Sequence, residues 1–216
     1  MRAVIFDMDG VIIDSEPLHL KIEREIVEEY GGRLSSKEYE EFVGTSDYHM
    51  WSSLKRRYNL KPSVEELIML KKQRLAENID KIELVDNFFE FMLKLYKREY
   101  LLALASSNNR KIINLVMDKF NLNKYIRISI SGEEVLKGKP DPEIFLKAAK
   151  KLDVSPDCCL VIEDSHAGVQ AAKAAGMKCI GYKNPNSGNQ DLSEADLIVK
   201  SFSDLSVNSI DELLRC

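Results

Sequence analysis

The sequence predicts an α/β fold in which a parallel-sheet core carries an inserted α-helical domain. Short apolar runs alternate with helical patterns from Leu84 onward, and a first apolar run opens the chain at residues 3–6. Alternation of this kind is typical of parallel strands joined by crossover helices. Residues 16–82 differ, because they are charged and helical and contain no strand-like run. We therefore expect a core made of residues 1–15 and 83–216, with a helical domain at 16–82 inserted into it.

The predicted strands are short and mostly apolar, as expected where helices cover both faces of a sheet. They are AVIF at residues 3–6, LLALA at 101–105, CLVIE at 159–163 and KCIGY at 178–182. The carboxyl ends of parallel strands lie at one edge of a sheet, and α/β proteins bind their ligands at that edge. The residues that follow each run are therefore the candidates for a shared site.

The insertion shows apolar residues at helical spacing, first at Leu18, Ile22, Ile26 and Tyr30 and again around Leu67 and Leu70. It enters after the first strand and returns before the second. Two chain crossings connect it to the core, and this arrangement predicts a hinge motion.

The composition excludes several classes of protein. At 216 residues and 44% hydrophobic, the chain is long enough for one substantial core and a smaller domain. The apolar run in MRAVIFDMDG is too short for a signal peptide or a membrane span. A net charge of −4, with Lys and Arg scattered among acids, gives no basic surface for nucleic acid. We expect a cytoplasmic protein without membrane or nucleic-acid partners, and no sustained heptad suggests more than a monomer.

Two aspartates follow the first strand. Asp7 and Asp9 are two residues apart, so strand alternation would project both carboxylates to the same side of the sheet edge. They would repel each other by about 4 kcal/mol at a separation of roughly 4 Å and an effective dielectric constant of about 20. A site that holds both carboxylates and a phosphate therefore needs a cation. Taken alone, the pair is more typical of an acidic turn with Gly10 at the bend, and only the later motifs favour a catalytic pair.

A pair of serines follows the second run. Ser106 and Ser107 lie just before a helix that is predicted to begin near Arg110. Hydroxyls and backbone N–H groups at a helix N-terminus favour an anion. Helix capping by Ser107 or Asn108 is the alternative, and it is compatible with a phosphate contact by Ser106.

Lys139 lies in the sequence GKPDP, where Pro140 and Pro142 restrict the backbone and favour the start of a helix. The loop would present the lysine from a stiff backbone. A solvated surface position is the ordinary expectation for a single lysine.

An acidic pair, Glu163 and Asp164, follows the third run. Hard oxygen ligands at a strand end suit Mg²⁺. Helix capping by Asp164 or Ser165 would also be consistent with these residues.

Together and in this order, the four groups resemble the motifs of the haloacid dehalogenase superfamily. The resemblance rests on FDMDG, the Ser106 position, the Lys139 loop and the Glu163–Asp164 pair, and it spans essentially the whole chain. It implies a Rossmann-like core and identifies the insertion as a small α-helical cap. DGVIIDSEPLH, GKPDPEIF and EDSHAGVQAAKAAGM are similar to the branch that contains β-phosphoglucomutase and phosphoglycolate phosphatase.

The resemblance implies a role for each site residue. Asp7 would be the nucleophile that forms an aspartyl-phosphate, while Asp9 would protonate the leaving oxygen and later activate water. The implied Mg²⁺ ligands are Asp7, the backbone carbonyl of Asp9, Glu163 and Asp164, and the implied phosphate ligands are Ser106, Ser107 and Lys139. His19, one turn after Ser15, would point toward the leaving group, although packing at the hinge is an alternative.

The resulting expectation is a Mg²⁺-dependent phosphatase for a small phosphorylated metabolite such as a sugar phosphate. A phosphosugar mutase is the alternative, but its cap arginine aligns with Asp47, an acid that would repel a second phosphate. Lys72 or Arg74 could still replace the cap lysine of the mutase. A true dehalogenase or a non-catalytic phosphate-binding module is less favoured, because the chain keeps Asp9 together with the acidic pair after the third run.

Overall fold

The computed structural model describes residues 1–43 and 45–214, and the chain divides into two compact units. The core unit combines residues 1–14 with the chain from Glu83 onward, and the helical unit comprises Ser15–Ile82. That the helical unit acts as a cap remains a prediction.

A parallel sheet forms the centre of the core unit, and the predicted α/β fold class is confirmed. The strands are β1 (Ala3–Phe6), β2 (Ile13–Asp14), β3 (Glu83–Leu84), β4 (Leu101–Ser106), β5 (Ile128–Ser131), β6 (Cys159–Glu163), β7 (Lys178–Tyr182) and β8 (Leu197–Val199). Among the described residues, six of them form one sheet in the order β5-β4-β1-β6-β7-β8, and all its pairs are parallel. The four predicted apolar runs are β1, β4, β6 and β7.

Two strands of this sheet, β5 and β8, lack the apolar run that marked the others. Strand β5 reads ISIS and alternates isoleucine with serine, and β8 has only three residues with Ile198 exposed. Both lie toward the ends of the sheet, where strands are less completely covered than in its centre.

The helices of the described residues are α1 (Glu16–Glu29), α2 (Ser36–Glu40), α3 (Asp47–Tyr58), α4 (Val64–Glu77), α5 (Phe88–Lys97), α6 (Arg110–Lys119), α7 (Glu143–Leu152), α8 (His166–Ala174) and α9 (Val207–Leu213). The first four belong to the helical unit and the rest to the core unit. None of the described helices has both the length and the apolar character required to cross a membrane.

Apolar side chains cover both faces of the central strand β1. Ile5 belongs to a buried cluster that includes Phe145 of α7 and Val169 of α8. Phe6 packs instead against Phe88 of α5, with ring centroids 5.2 Å apart. Burial on both faces holds the carboxyl end of β1 in a fixed position.

An antiparallel pair of short strands marks the two points where the core unit is interrupted. Ile13 pairs with Leu84 and Asp14 with Glu83, so β2 and β3 lie side by side. The Val85 N–H extends the pairing by donating to the carbonyl of Ile12 at 3.0 Å.

Helices α1 and α3 of the helical unit both pack against α4. The predicted apolar face of α1 is buried at Leu18, Ile22 and Ile26. Tyr30 departs from this prediction, because it follows the last residue of α1 and is 39% exposed. Capping boxes start α2 and α4, as two serines each exchange hydrogen bonds with the glutamate three residues later.

Candidate active site

The carboxyl ends of three adjacent strands carry most of the predicted site residues. Asp7 follows β1 directly, Ser106 is the last residue of β4, and Glu163 is the last residue of β6. These strands are parallel neighbours in the order β4-β1-β6, so their carboxyl ends share one edge of the sheet. The Asp7 N–H donates to the carbonyl of Ile162 at 3.0 Å, which fixes the aspartate backbone against β6.

Lys139 reaches this edge from the loop that precedes α7 and contacts two carboxylates. Its Nζ lies 2.5 Å from Asp7 Oδ1 and 2.6 Å from Glu163 Oε1, and it donates to the carbonyl of Ala105 at 3.2 Å. The ammonium also lies 4.9 Å from the centre of the Phe145 ring, a cation–π contact. The lysine side chain is only 7% exposed, so it is not a solvated surface lysine. Lys139, Asp7 and Glu163 form what we call the core ion cluster.

The charge of Lys139 is stabilised by this cluster. Burial alone would lower the pKa of the ammonium, but attraction to Asp7 and Glu163 outweighs burial and raises the pKa above its ordinary value. The lysine is therefore positively charged and close to any phosphoryl oxygen that meets Asp7.

Three buried carboxylates at this edge could hold a metal ion. Asp7, Glu163 and Asp164 each offer an oxygen within 4.8 Å of the others. Burial raises the pKa of Asp7 to about 8, with attraction to Lys139 acting in the opposite direction. Burial, followed by repulsion from Glu163, likewise raises the pKa of Asp164 well above its ordinary value. One ammonium does not offset three buried carboxylates, and a divalent cation with oxygen ligands would do so, so the residues fit Mg²⁺.

The loop after β7 fixes the position of Asp164 through a hydrogen bond. The Ser187 hydroxyl donates to Asp164 Oδ2, and Asn184 Nδ2 donates to the carbonyl of Gly10 at 2.9 Å. Gly10 has a φ of +74°, and a Cβ there would lie 1.9 Å from Asp164 Oδ2. Only glycine lets the turn after Asp9 pass this close to the carboxylate.

Glu163 is held by the start of α8. Its Oε2 accepts from the Ser165 N–H at 2.9 Å and from the Ser165 hydroxyl at 2.8 Å, while Oε1 meets Lys139. A Cβ at Gly168 would lie 1.8 Å from Glu163 Oε1, so the glycine makes room for the carboxylate. Ser165 is also the N-cap of α8 and accepts from the Gly168 N–H at 3.1 Å. Of the two caps that the sequence allowed, Asp164 and Ser165, it is therefore Ser165 that caps the helix. Both glutamate oxygens thus have partners, and a metal ion would share one of them.

Asp9 contacts the loop after β4. Its Oδ2 accepts from Asn108 Nδ2 at 2.5 Å, and the Ser106 hydroxyl accepts from the Asn108 N–H at 3.1 Å. Ser106 is buried, whereas Ser107 is exposed at the start of the loop. Asn109 is the N-cap of α6 and accepts from the Ile112 N–H at 2.9 Å. The predicted capping by Ser107 or Asn108 is therefore wrong, because the Asn108 amide faces Asp9 instead of the helix.

The helical unit contains a second buried ion cluster. Lys71 Nζ lies 2.6 Å from Glu23 Oε1 and 2.6 Å from Asp47 Oδ1, and we call these three residues the helical ion cluster. Burial opposes ionisation of Asp47, but attraction to Lys71 outweighs it and lowers the pKa of Asp47 below its ordinary value. His19, half-buried on α1, adds to the same effect. A role for His19 at a leaving group remains a prediction.

Sequence reasoning did not assign roles at the site to Asn108, Asn184 and Ser187. All three are polar residues on loops, and no apolar period marks their positions. The last two follow β7, the one predicted strand end at which no site residue was sought. The predicted end of β7 could therefore have indicated Asn184 and Ser187 as candidate site residues.

A match with a known family agrees with this geometry. Residues 4–182 match the family described as haloacid dehalogenase-like hydrolase. The chain is 32% identical to the phosphorylated carbohydrates phosphatase of Thermotoga maritima, over 99% of this chain and 100% of that protein. It is also 32% identical to the β-phosphoglucomutase of Bacillus subtilis, over 98% of this chain and 95% of that protein.

Solved structures show the same fold. CbbY from Rhodobacter sphaeroides, in complex with phosphate, gives a TM-score of 0.84 at 23% identity over 95% of this chain and 97% of that chain. The β-phosphoglucomutase of Clostridium difficile gives 0.81 at 27% identity over 100% of this chain and 97% of that chain. The chain belongs to the haloacid dehalogenase-like hydrolase family, and the predicted enzyme class is confirmed.

Proposed function

We propose that this protein is a Mg²⁺-dependent phosphatase that hydrolyses a small phosphorylated metabolite through an aspartyl-phosphate on Asp7. The observation that carries the proposal is the contact of Lys139 with Asp7 beside three clustered carboxylates. This arrangement offers a nucleophile, a fixed cation for phosphoryl oxygens and oxygen ligands for a metal ion. The similarity to a phosphorylated carbohydrates phosphatase favours a sugar phosphate or a related compound as substrate. The proposal includes action in the cytoplasm as a monomer.

In the first step, a carboxylate oxygen of Asp7 forms a bond to phosphorus and the ester P–O bond breaks. Asp9 gives its proton to the departing oxygen, so an alcohol leaves rather than an alkoxide. Lys139, Ser106 and the exposed Ser107 bind the phosphoryl oxygens and stabilise the charge that redistributes during transfer.

The proposed metal ligands are Asp7, Glu163, Asp164 and the backbone carbonyl of Asp9. A bound Mg²⁺ supplies the positive charge that lets a carboxylate approach a phosphate dianion. Ser187 and Gly10 support this set, because they fix the position of Asp164.

In the second step, water attacks phosphorus and the bond between Asp7 and phosphorus breaks. Asp9, now a carboxylate, takes the proton of the attacking water and is ready to act as an acid again. Inorganic phosphate leaves and Asp7 returns to its starting form.

A phosphosugar mutase remains the second candidate, because a β-phosphoglucomutase is among the similar proteins. The helical ion cluster favours the phosphatase. A mutase must hold a second phosphate, yet Lys71 is shared between two carboxylates and Arg74 pairs with Glu29 at 2.6 Å. Lys72 is exposed on the surface of α4. Assaying phosphate release and β-glucose 1-phosphate isomerisation side by side separates the two, and faster isomerisation would favour the mutase.

Hydrolysis of p-nitrophenyl phosphate tests the phosphatase itself. We expect activity that requires Mg²⁺ and is lost in Asp7→Asn, because an amide is a poor nucleophile of nearly the same size. Asp196→Asn is the matched control, since that carboxylate pairs with Lys173 and Lys178 away from the three clustered carboxylates. Full activity in Asp7→Asn, or full activity without a divalent metal, would contradict the proposal.

A further inference from the structure

Asn108 makes a contact that helix formation does not require. Its Nδ2 lies 2.5 Å from Asp9 Oδ2, although the two residues are 99 positions apart in the chain. A carboxylate only accepts hydrogen bonds, so the amide must present its NH₂ group rather than its oxygen. The neighbouring Asn109 already caps α6, which leaves the Asn108 side chain available for Asp9.

The backbone of Asn108 is held in place by the end of β5. The Asn108 carbonyl accepts from the Ser131 hydroxyl at 2.9 Å and from the Gly132 N–H at 3.2 Å, and Ser131 is fully buried. A Cβ at Gly132 would lie 2.5 Å from the carbonyl oxygen of Ser107, so a larger residue there would displace the loop. The Asn108 N–H donates to the Ser106 hydroxyl at 3.1 Å. The amide is therefore fixed relative to both a proposed phosphate ligand and Asp9.

We propose that Asn108 is a positioning residue for Asp9 in the reaction described above, so this inference rests on the proposed function. The amide binds Oδ2 of Asp9 and thereby fixes the orientation of the carboxyl group. When Asp7 bonds to phosphorus and the ester bond breaks, the proton of Asp9 passes to the departing oxygen. When water then attacks phosphorus and the bond from Asp7 to phosphorus breaks, Asp9 takes a proton from that water, which restores the starting state.

The orientation of the Asp9 carboxyl group should affect the rate most for substrates whose leaving oxygen must be protonated. A nitrophenolate leaves readily without a proton, whereas an alkoxide needs one as the ester bond breaks. Removing the Asn108 amide should therefore slow an alkyl phosphate more than an aryl phosphate. A residue that only stabilises the loop would slow both substrates alike.

The test compares 4-nitrobenzyl phosphate with 4-nitrophenyl phosphate, which are similar in shape but whose leaving oxygens belong to an alkyl alcohol and to a phenol. The measured quantity is kcat/KM, because it reports the steps up to release of the first product. In Asn108→Ala the benzyl-to-phenyl ratio should fall about 10- to 100-fold, as expected when a proton donor is misplaced. Asn109→Ala is the matched control, and it should lower thermal stability while keeping the wild-type ratio.

Asn108→Asp is a second variant of nearly identical size, and it matters if the alanine variant does not fold. Its carboxylate cannot donate to Asp9, so the same fall in the ratio is expected. An unchanged ratio in the folded Asn108 variants, alongside a reduced ratio in Asp9→Asn, would overturn the role of Asn108 and leave the proposed function intact. An unchanged ratio in Asp9→Asn, or no hydrolysis by the wild type, would instead contradict the proposed function and with it this role.

Discussion

The two units of the protein each contain a buried lysine between two carboxylates, and the resemblance between these clusters is close. In each, the lysine nitrogen lies 2.5 to 2.6 Å from a carboxylate oxygen of each partner. Burial alone would lower the pKa of each lysine, and the paired acids raise it above the ordinary value in both. The contact itself therefore does not distinguish a catalytic lysine from a structural one.

The residues around each lysine distinguish the core ion cluster from the helical ion cluster. The core ion cluster stands at the carboxyl ends of parallel strands and has a third buried carboxylate, Asp164, beside it. Burial raises the pKa of Asp7 there to about 8 against the attraction of Lys139, and burial also raises the pKa of Asp164. In the helical ion cluster burial raises the pKa of Glu23, whereas attraction to Lys71 outweighs burial and lowers the pKa of Asp47. A third buried carboxylate at a shared strand edge, rather than the ion pair itself, therefore distinguishes the candidate site.

The largest expected difference between the two clusters is in kcat, and it should appear when Lys139 and Lys71 are each replaced. Lys139→Met should lower kcat for p-nitrophenyl phosphate by about 10²- to 10³-fold, because a fixed positive charge is lost from the phosphoryl site. Lys71→Met should leave the turnover of folded enzyme nearly unchanged. Both should lose about 3–5 kcal/mol of unfolding free energy, since each leaves buried carboxylates without their partner. Equal losses of activity in the two variants would show that the clusters do not differ in function.

A second effect concerns the metal. Mg²⁺ at about 100 times its dissociation constant should stabilise the folded protein by about 2.7 kcal/mol, seen as a rise in Tm. Asp164→Asn should abolish most of this rise, whereas Asp47→Asn should keep it, because only the first variant removes a proposed ligand. A rise that survives in Asp164→Asn and disappears in Asp47→Asn would place the ion in the helical unit.

The smallest expected effect is the contribution of Asp47 to the free energy of unfolding at acid pH. The pKa of Asp47 is lowered on folding, so its carboxylate contributes stability above its ordinary pKa of 3.8, and that contribution is lost as the pH falls through the lowered value. Asp47→Asn should therefore be less stable than the wild type at neutral pH, and the difference should shrink below pH 3.8. Urea unfolding at several pH values measures it. A difference that grows toward acid would contradict the assignment.

The fold could be predicted because the central strands are almost entirely apolar. Strands β1, β4, β6 and β7 are buried on both faces, and such runs are visible without knowledge of their partners. The ends of β1, β4 and β6 then pointed to polar residues of the site. Strand β5 was not predicted, because its alternation of isoleucine and serine is typical of a strand that is covered on one face only.

Contacts between loops could not be predicted, because they depend on how distant segments pack. The hydrogen bond from Asn108 to Asp9 and that from Ser187 to Asp164 join positions that no sequence period relates. Lys71 was missed for another reason. It lies four residues from both Leu67 and Leu75, which are buried, so it shares their face of α4, but a charged residue was expected on the opposite face.

The account depends most on phosphoryl transfer to Asp7, and reduction of the enzyme during turnover tests this step directly. Borohydride converts an acyl phosphate to an alcohol, so quenching the reaction with it should turn Asp7 into homoserine. Mass spectrometry of the peptide that contains residue 7 should detect homoserine only when substrate and Mg²⁺ are present. An unmodified Asp7 in enzyme quenched during full turnover, or homoserine at Asp9 instead, would contradict the account.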